Sequence, residues 1–507
     1  MPVACHESVA VEFRLVPEEK SFRGGKEKGY CDPRSELTIK TQQAIQSMVV
    51  QVGRLSDDPE VKTASALIRC VVEKQRQDVG IPGLSLAIVC DQETILAEGF
   101  GHSDLQKKTL TDSKTAYSVA SVTKLFTATM LMQLRDMGKL SLDDPIEKFI
   151  PNIKVKSRFG DSRPASFREI ASHTSGLPQE ALSDHWANLR FPSIEQMLES
   201  LSRTEKIHPE LAEIHYSNLG IALMAHALER VAGQRWEDYV LENILKPLGM
   251  DHSGFPSTPE RLANRAIGHK ILKDKSVEVV PEFTLEGYGP VGGLWSCVED
   301  LARFMSFQFR GQTTGSKGIL GHTSVREMLT PAFIDPEWKS GFGIGWMLER
   351  EGNRTIAWHS GGIPGFRAYM AIVPGKKVGV VVLANAYTKL ANLMDMSKYI
   401  LDVITPITER ISKKPEEERK ALSEWEKYRG RYHFLEMADI EVHIIDGKLT
   451  LVTVGYPPSS WSTLEPEGAT GFRVKGGDDN GELAVFETDH DGNVTGLRIG
   501  GFPYPRV

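Results

Sequence analysis

Apolar, strand-like runs stand at the two ends of one long stretch of this chain, and most of what lies between reads as helix. Ile81–Val89 follows a Pro82-Gly83 turn, with Glu93–Gly99 as a hairpin partner. Far downstream come Thr355–Trp358, Ala368–Ile372 and Val378–Leu383, the last two separated by Pro374-Gly375. Short apolar runs of this kind need neighbours along both edges and a covered face. Strands so remote in sequence meet that need by joining one sheet. The pattern therefore predicts an α+β domain, with an antiparallel sheet closed by its two chain ends and flanked by helices. Helices are expected at Val61–Gln77 before Gly80, from Ser121 to about Asp136 with Gly138 at C′, and at Ile221–Ala232 and Trp236–Ile244. Another is expected at Val298–Arg310, opened by a capping box at Ser296 and Glu299.

The flanking regions read differently. A glycine-rich arm precedes a helix expected at Glu36–Val52, ended by Gly53. In Thr408–Lys427, twelve of twenty residues are charged, six of each sign, the composition of a solvated linker. Beyond it, Ile440–Ile445 and Leu449–Val454 flank Asp446-Gly447, and Leu483–Glu487 and Val494–Ile499 flank Asp491-Gly492. These are hairpin signals, and a run of them predicts a small barrel or sandwich. The expected layout is an N-terminal extension (1–60), a main domain (61–407), a charged linker (408–427) and a C-terminal β domain (428–507).

Composition narrows the function. The 507 residues are 40% apolar and 25% charged, which excludes disordered, collagen-like and disulfide-dense classes. A net charge of −7 gives no general attraction to nucleic acid or anionic lipid. No uninterrupted apolar run of ~18 residues suggests a membrane span. Glu7, Glu12, Glu18 and Glu19 argue against a signal or transit peptide. Cys5, Cys31, Cys70, Cys90 and Cys297 are odd in number and widely spaced, as expected for free thiols in a reducing, cytoplasmic compartment.

Three short motifs carry chemistry. Ser121 and Lys124 are three apart, so on a helix they share a face, and Ser121 falls at a helix N-terminus where developing negative charge is favoured. The rest of that helix is apolar, so Lys124 is buried and has reason to lose its proton. A neutral amine beside a serine hydroxyl is a general base for a nucleophile. Tyr216 and Asn218 supply a phenol for proton transfer and an amide to hold a polar group. His359-Ser-Gly361-Gly362 follows an apolar strand, and its glycines let a substrate approach the backbone closely. Gly287–Gly292 satisfies G-x-G-x-x-G without a βαβ unit around it, so it is not read as a dinucleotide site. There is no G-x-S-x-G elbow. No His-Glu-x-x-His or clustered ligand set points to a metal, and His173 reads as a residue that holds its loop.

Taken in order, Ser121-x-x-Lys124, Tyr216-x-Asn218 and His359-x-Gly361 resemble the serine β-lactamase and penicillin-binding-protein superfamily. The nearest branch is that of class C-like esterases and D-aminopeptidases. Leu140-Ser-Leu-Asp-Asp-Pro145, Ser172-His-Thr-Ser-Gly-Leu-Pro178, Pro247-Leu-Gly-Met250, Gly292-Gly-Leu-Trp-Ser296 and Gly341-Phe-Gly-Ile-Gly-Trp346 are similar too. The resemblance covers about residues 64–400 and implies a β-lactamase/transpeptidase-like fold with a helical subdomain. It implies Ser121 as nucleophile, with Lys124 and Tyr216 sharing acid and base work. Asn218 would orient Lys124 or the substrate amide, and His359 would bias the Tyr216 proton. The backbone N–H groups of Ser121 and Gly362 would form an oxyanion hole. Tyr117, Trp295 and Trp358 are candidate pocket walls. The family's usual Pro-Gly before the tyrosine is Pro209-Glu210 here, and His359 stands where classical β-lactamases carry lysine. The strands from Tyr428 onward resemble an appended lipocalin-like domain. The expected activity is hydrolysis of a small ester or amide through an acyl-serine, with no metal or organic cofactor and a small-molecule acyl substrate as partner. Acyl transfer or cyclisation on the same fold, and a non-catalytic scaffold, are the alternatives.

Overall fold

The structure, a computed structural model, describes residues 54–507 apart from 152, 312–317, 388–391, 414–424, 435–437, 446, 455–459 and 468–470. The expected arm, the 36–52 helix, most of the charged linker and Asp446 lie outside the described residues.

Helix α1 (Pro59–Val79) starts where Asp58 accepts the Glu60 N–H and ends at Gly80, whose φ is 80°. The chain then enters strand β1 (Gly83–Cys90), followed by β2 (Glu93–Asp104) and β3 (Thr109–Leu110). Helix α2 (Thr123–Asp136), α3 (Asn218–Ala232) and α4 (Val298–Gly311) belong to the long middle. Strands β4 (Phe333–Ile334), β5 (Ser340–Phe342), β6 (Met347–Glu351), β7 (Arg354–Ile363), β8 (Phe366–Val373) and β9 (Val378–Ala384) complete a nine-stranded sheet in the order β3-β2-β1-β9-β8-β7-β6-β5-β4. The two ends meet where β1 runs antiparallel to β9, from Leu84 opposite Ala384 to Cys90 opposite Val378.

The two-residue period of these strands separates two cores. Ala87, Val89, Met370, Val381 and Leu383 face the helical middle, with α2, α3 and α4. Leu84, Leu86, Ile88, Tyr369, Val380 and Val382 face a rear layer made of α1 and α5 (Leu393–Lys413). Helix α5 runs further than a linker beginning at 408 would allow. Ile411 is buried in the rear core and Arg410 pairs with the buried Glu60 of α1, so the first charged residues are anchored instead of solvated.

The expected capping box at α4 is not formed. The Ser296 hydroxyl is paired with that of Ser253, while the Glu299 carboxylate accepts from the Ser113 hydroxyl, so both side chains serve packing between segments.

The C-terminal strands are β10 (Gly430–Phe434), β11 (Ala438–Ile445), β12 (Lys448–Thr453), β13 (Ser462–Glu467), β14 (Gly471–Lys475), β15 (Leu483–Thr488), β16 (Val494–Ile499) and β17 (Phe502–Pro505). They pair in sequence order as one antiparallel sheet. A Tyr432–Arg506 bridge and the Val507 N–H bond to the Arg431 carbonyl draw the last strand to the first. The result is a nearly closed barrel around Tyr432, Val442, Leu449, Phe472, Phe486 and Leu497. Its β11 rests on α1, where the Ile444 N–H donates to Thr63 Oγ1 at 3.1 Å. Among the described residues, no helix is long and apolar enough to cross a membrane.

Candidate active site

Ser121 lies in a 3₁₀ turn, Ala120–Val122, immediately before α2. Ala120 holds a left-handed φ of 46°, a conformation costing about 1–3 kcal/mol in a non-glycine residue. Strand β7 is seated on this turn. The glycine run is part of β7 and pairs with β8 through Gly361 opposite Ala368 and Gly362 opposite Arg367. Ser121 and Gly362 thereby face one cavity of about 910 Å³, also lined by Glu180, Tyr216, Asn218 and Tyr387.

Lys124 is one turn along from Ser121, 1% exposed, and its Nζ lies 2.9 Å from Ser121 Oγ. The same amine donates to the Val291 carbonyl at 3.2 Å and sits 4.9 Å from the centre of the Tyr216 ring. Burial holds this amine well below the usual lysine range, opposed by the negative charge of Glu180. Burial likewise pushes the Tyr216 phenol up, and its interaction with Ser121 acts in the opposite direction. Burial thus biases the pair toward an uncharged amine and an intact phenol.

Tyr216 is held by packing. His173, at a left-handed φ of 57°, stacks on it at 4.3 Å, and His173 Nδ1 accepts the Ser217 N–H at 3.0 Å. Ser217 caps α3 through the Gly220 N–H, so Asn218 is the first residue of that helix. Asn218 does not reach Lys124. Its Nδ2 donates to Glu180 Oε1 at 2.6 Å, and its Oδ1 is buried without a partner.

Glu180 is the residue that sequence reasoning missed. Glu180 lines the cavity, and its second carboxylate oxygen meets His185 Nε2 at 3.2 Å. The Val291 carbonyl was hidden as well, inside the glycine pattern of Gly287–Gly292, because a backbone acceptor leaves no mark on side-chain identity.

His359 is 1% exposed, with Nδ1 against the Ser360 carbonyl at 2.8 Å and Nε2 buried without a partner. Its ring centre is 6.2 Å from that of Tyr216. Burial, followed by the nearby Lys124, brings its pKa down to about 3, so the ring is neutral at pH 7.

The candidate walls divide. Trp295 lines a groove of about 640 Å³ that shares Leu285, Gly292 and Ile363 with the main cavity. Tyr117 does not line it: the side chain is fully buried and its hydroxyl pairs with Ser85 Oγ at 2.9 Å. Trp358 does not either. It neighbours His359 on β7, so it points through the opposite face and stacks on Tyr369 at 5.5 Å.

An antiparallel sheet closed by both chain ends, a helical layer over it and a serine–lysine–tyrosine set at their seam define the serine β-lactamase and penicillin-binding-protein superfamily. The chain belongs to the beta-lactamase family, whose model matches residues 68–404. It is similar to Beta-lactamase-like protein 2 of Dictyostelium discoideum, with 28% identity over 70% of this chain and 65% of that protein. It is also similar to Protein flp of Staphylococcus aureus, with 26% identity over 66% of this chain and 64% of that protein. The chain thus spans just under two thirds of the length of these curated relatives. The octameric penicillin-binding protein homologue from Pyrococcus abyssi superposes with a TM-score of 0.60 at 25% identity, covering 87% of this chain and 99% of that one.

Proposed function

We propose that the protein is a serine hydrolase that cleaves a small ester or amide through an acyl-serine intermediate. The observation that carries this reading is the 2.9 Å approach of a buried, proton-poor Lys124 amine to Ser121 Oγ at the wall of a large cavity. Ser121 Oγ attacks the substrate carbonyl as its proton passes to Lys124, with Tyr216 beside both groups. The backbone N–H groups of Ser121 and Gly362 receive the developing oxyanion. The alcohol or amine leaves with a proton from the lysine–tyrosine pair. Water then attacks the acyl-serine and gives a proton to the pair, which passes it to Ser121 Oγ as the acyl–oxygen bond breaks and the acid is released. Because the pair shares protons, its titration belongs to both groups.

The neutral His359 supports an ester or amide substrate in preference to a β-lactam carboxylate, since the third motif offers no fixed cation. The test is labelling by a fluorophosphonate, read as a mass adduct. Wild type is expected to take one adduct and Ser121→Ala none. An adduct of equal yield on Ser121→Ala would remove Ser121 from its role.

A further inference from the structure

Three side chains that the acyl chemistry does not use converge on the loop leading into Tyr216. His208, Glu213 and His215 each bring one ligand atom within 4.8 Å of the other two. His208 Nε2 is 2.6 Å from Glu213 Oε1, and the two imidazole rings are 5.5 Å apart. In sequence they read His-x₄-Glu-x-His, a spacing that signals no metal motif. The fold assembles them. Leu211 takes a left-handed φ of 60°, in the turn that lies between His208 and Glu213.

The loop is fixed to the segment 173–176 along its length. The Ile207 N–H donates to the Gly176 carbonyl at 2.9 Å, Leu211 to Thr174 at 2.9 Å and His215 to His173 at 2.7 Å. A Cβ on Gly176 would fall 2.0 Å from the His208 carbonyl oxygen, so this approach needs glycine. The backbone that carries the three ligand atoms is thereby anchored at both arms.

We infer that His208, Glu213 and His215 form a binding site for a borderline divalent cation of the Zn²⁺ type, with a fourth position open to water. Two imidazoles and one carboxylate suit Zn²⁺, Ni²⁺ or Cu²⁺, whereas Mg²⁺ and Ca²⁺ take oxygen ligands. Bonds of ~2.0–2.1 Å in tetrahedral geometry set neighbouring ligand atoms about 3.3 Å apart, so His208 and Glu213 part by less than an ångström. His215 is joined directly to Tyr216, so an ion here ties both arms of the loop that presents the phenol. The site is independent of the acyl chemistry proposed above.

Full-length protein stripped with EDTA is titrated with ZnCl₂ by isothermal calorimetry, beside the double variant His208→Ala/His215→Ala and the single variant Glu213→Gln. Wild type is expected to bind one Zn²⁺ per chain and to gain thermal midpoint on binding. The double variant, shown folded by circular dichroism, loses both effects. Glu213→Gln binds about 10-fold or more weakly. No binding by wild type, undiminished binding by either variant, or equal binding of MgCl₂ overturns the assignment.

Discussion

Gly361 touches the turn that carries Ser121 so closely that a Cβ on it would fall 2.1 Å from the Val119 carbonyl oxygen. Backbone cannot yield as a side-chain tip can, so Gly361→Ala must lift β7 from the 3₁₀ turn. Overpacking of this kind costs about 1–3 kcal/mol, measurable as a lowered urea midpoint. Turnover of p-nitrophenyl acetate should fall further, by ~10²-fold, because an ångström of misplacement separates Gly362 from Ser121. Wild-type turnover in a folded Gly361→Ala protein would show that the seam tolerates the shift.

Lys124→Ala separates chemistry from stability. Lys124 is part of the base proposed above, so its removal is expected to lower acylation by ~10²–10⁴-fold. The buried amine is held low by burial, so removing it relieves a desolvated group, and the thermal midpoint should not drop as for an ordinary core truncation. Single-turnover acylation and calorimetry on the same sample read both quantities. Parallel collapse of both would make Lys124 a structural residue.

Glu180→Gln acts on substrate choice and on Lys124. Glu180 lines the cavity, so its negative charge is expected to favour substrates carrying a positive charge. Its loss should cut the kcat/KM preference for cationic over neutral esters by about tenfold, ~1.4 kcal/mol. Glu180 also raises the Lys124 pKa, so without it the amine stays neutral to lower pH. The acid limb of the pH–rate profile is therefore expected to move to lower pH. An unchanged limb would mean that Glu180 does not reach the amine electrostatically.

The neutral His359 makes stability depend on pH. Its pKa is about 3 in the folded protein against an ordinary value of 6.5. Between these values the unfolded chain binds a proton that the folded chain refuses, so this contribution is complete above 6.5 and fades as pH falls toward 3. His359→Gln removes the contribution. The difference between urea midpoints at pH 7 and pH 4.5 should be smaller in the variant, and an equal difference would place the titration elsewhere.

The central sheet was legible because its strands alternate or are wholly apolar, and because β1 and β9, although remote in sequence, both needed partners. Ser121 and Lys124 were legible from their spacing, and Tyr216 and Gly362 from the resemblance; Ser121, Tyr216 and Gly362 line one cavity, with the buried Lys124 amine 2.9 Å from Ser121 Oγ. Trp358 was misread because strand parity, which sends it away from His359, cannot be applied until β7 is known to run through the glycines. Glu180 gave no local signal, since its place depends on Asn218, 38 residues away. The His208, Glu213 and His215 cluster was invisible for a related reason: a turn at Leu211 and three backbone bonds create it.

Helix α1 has one flank in the rear core, through Val61, Ile68 and Val72, and the buried Thr63 on the flank met by β11. A helix clad on two sides is no longer a surface element. A chain cut after Lys413 would bare one of those sides and leave the Thr63 hydroxyl without its donor. The barrel thus works as upholstery for α1 behind the sheet, and its loss should reach the protein as stickiness and a shortened lifetime in solution, with the cleft on the far face still intact.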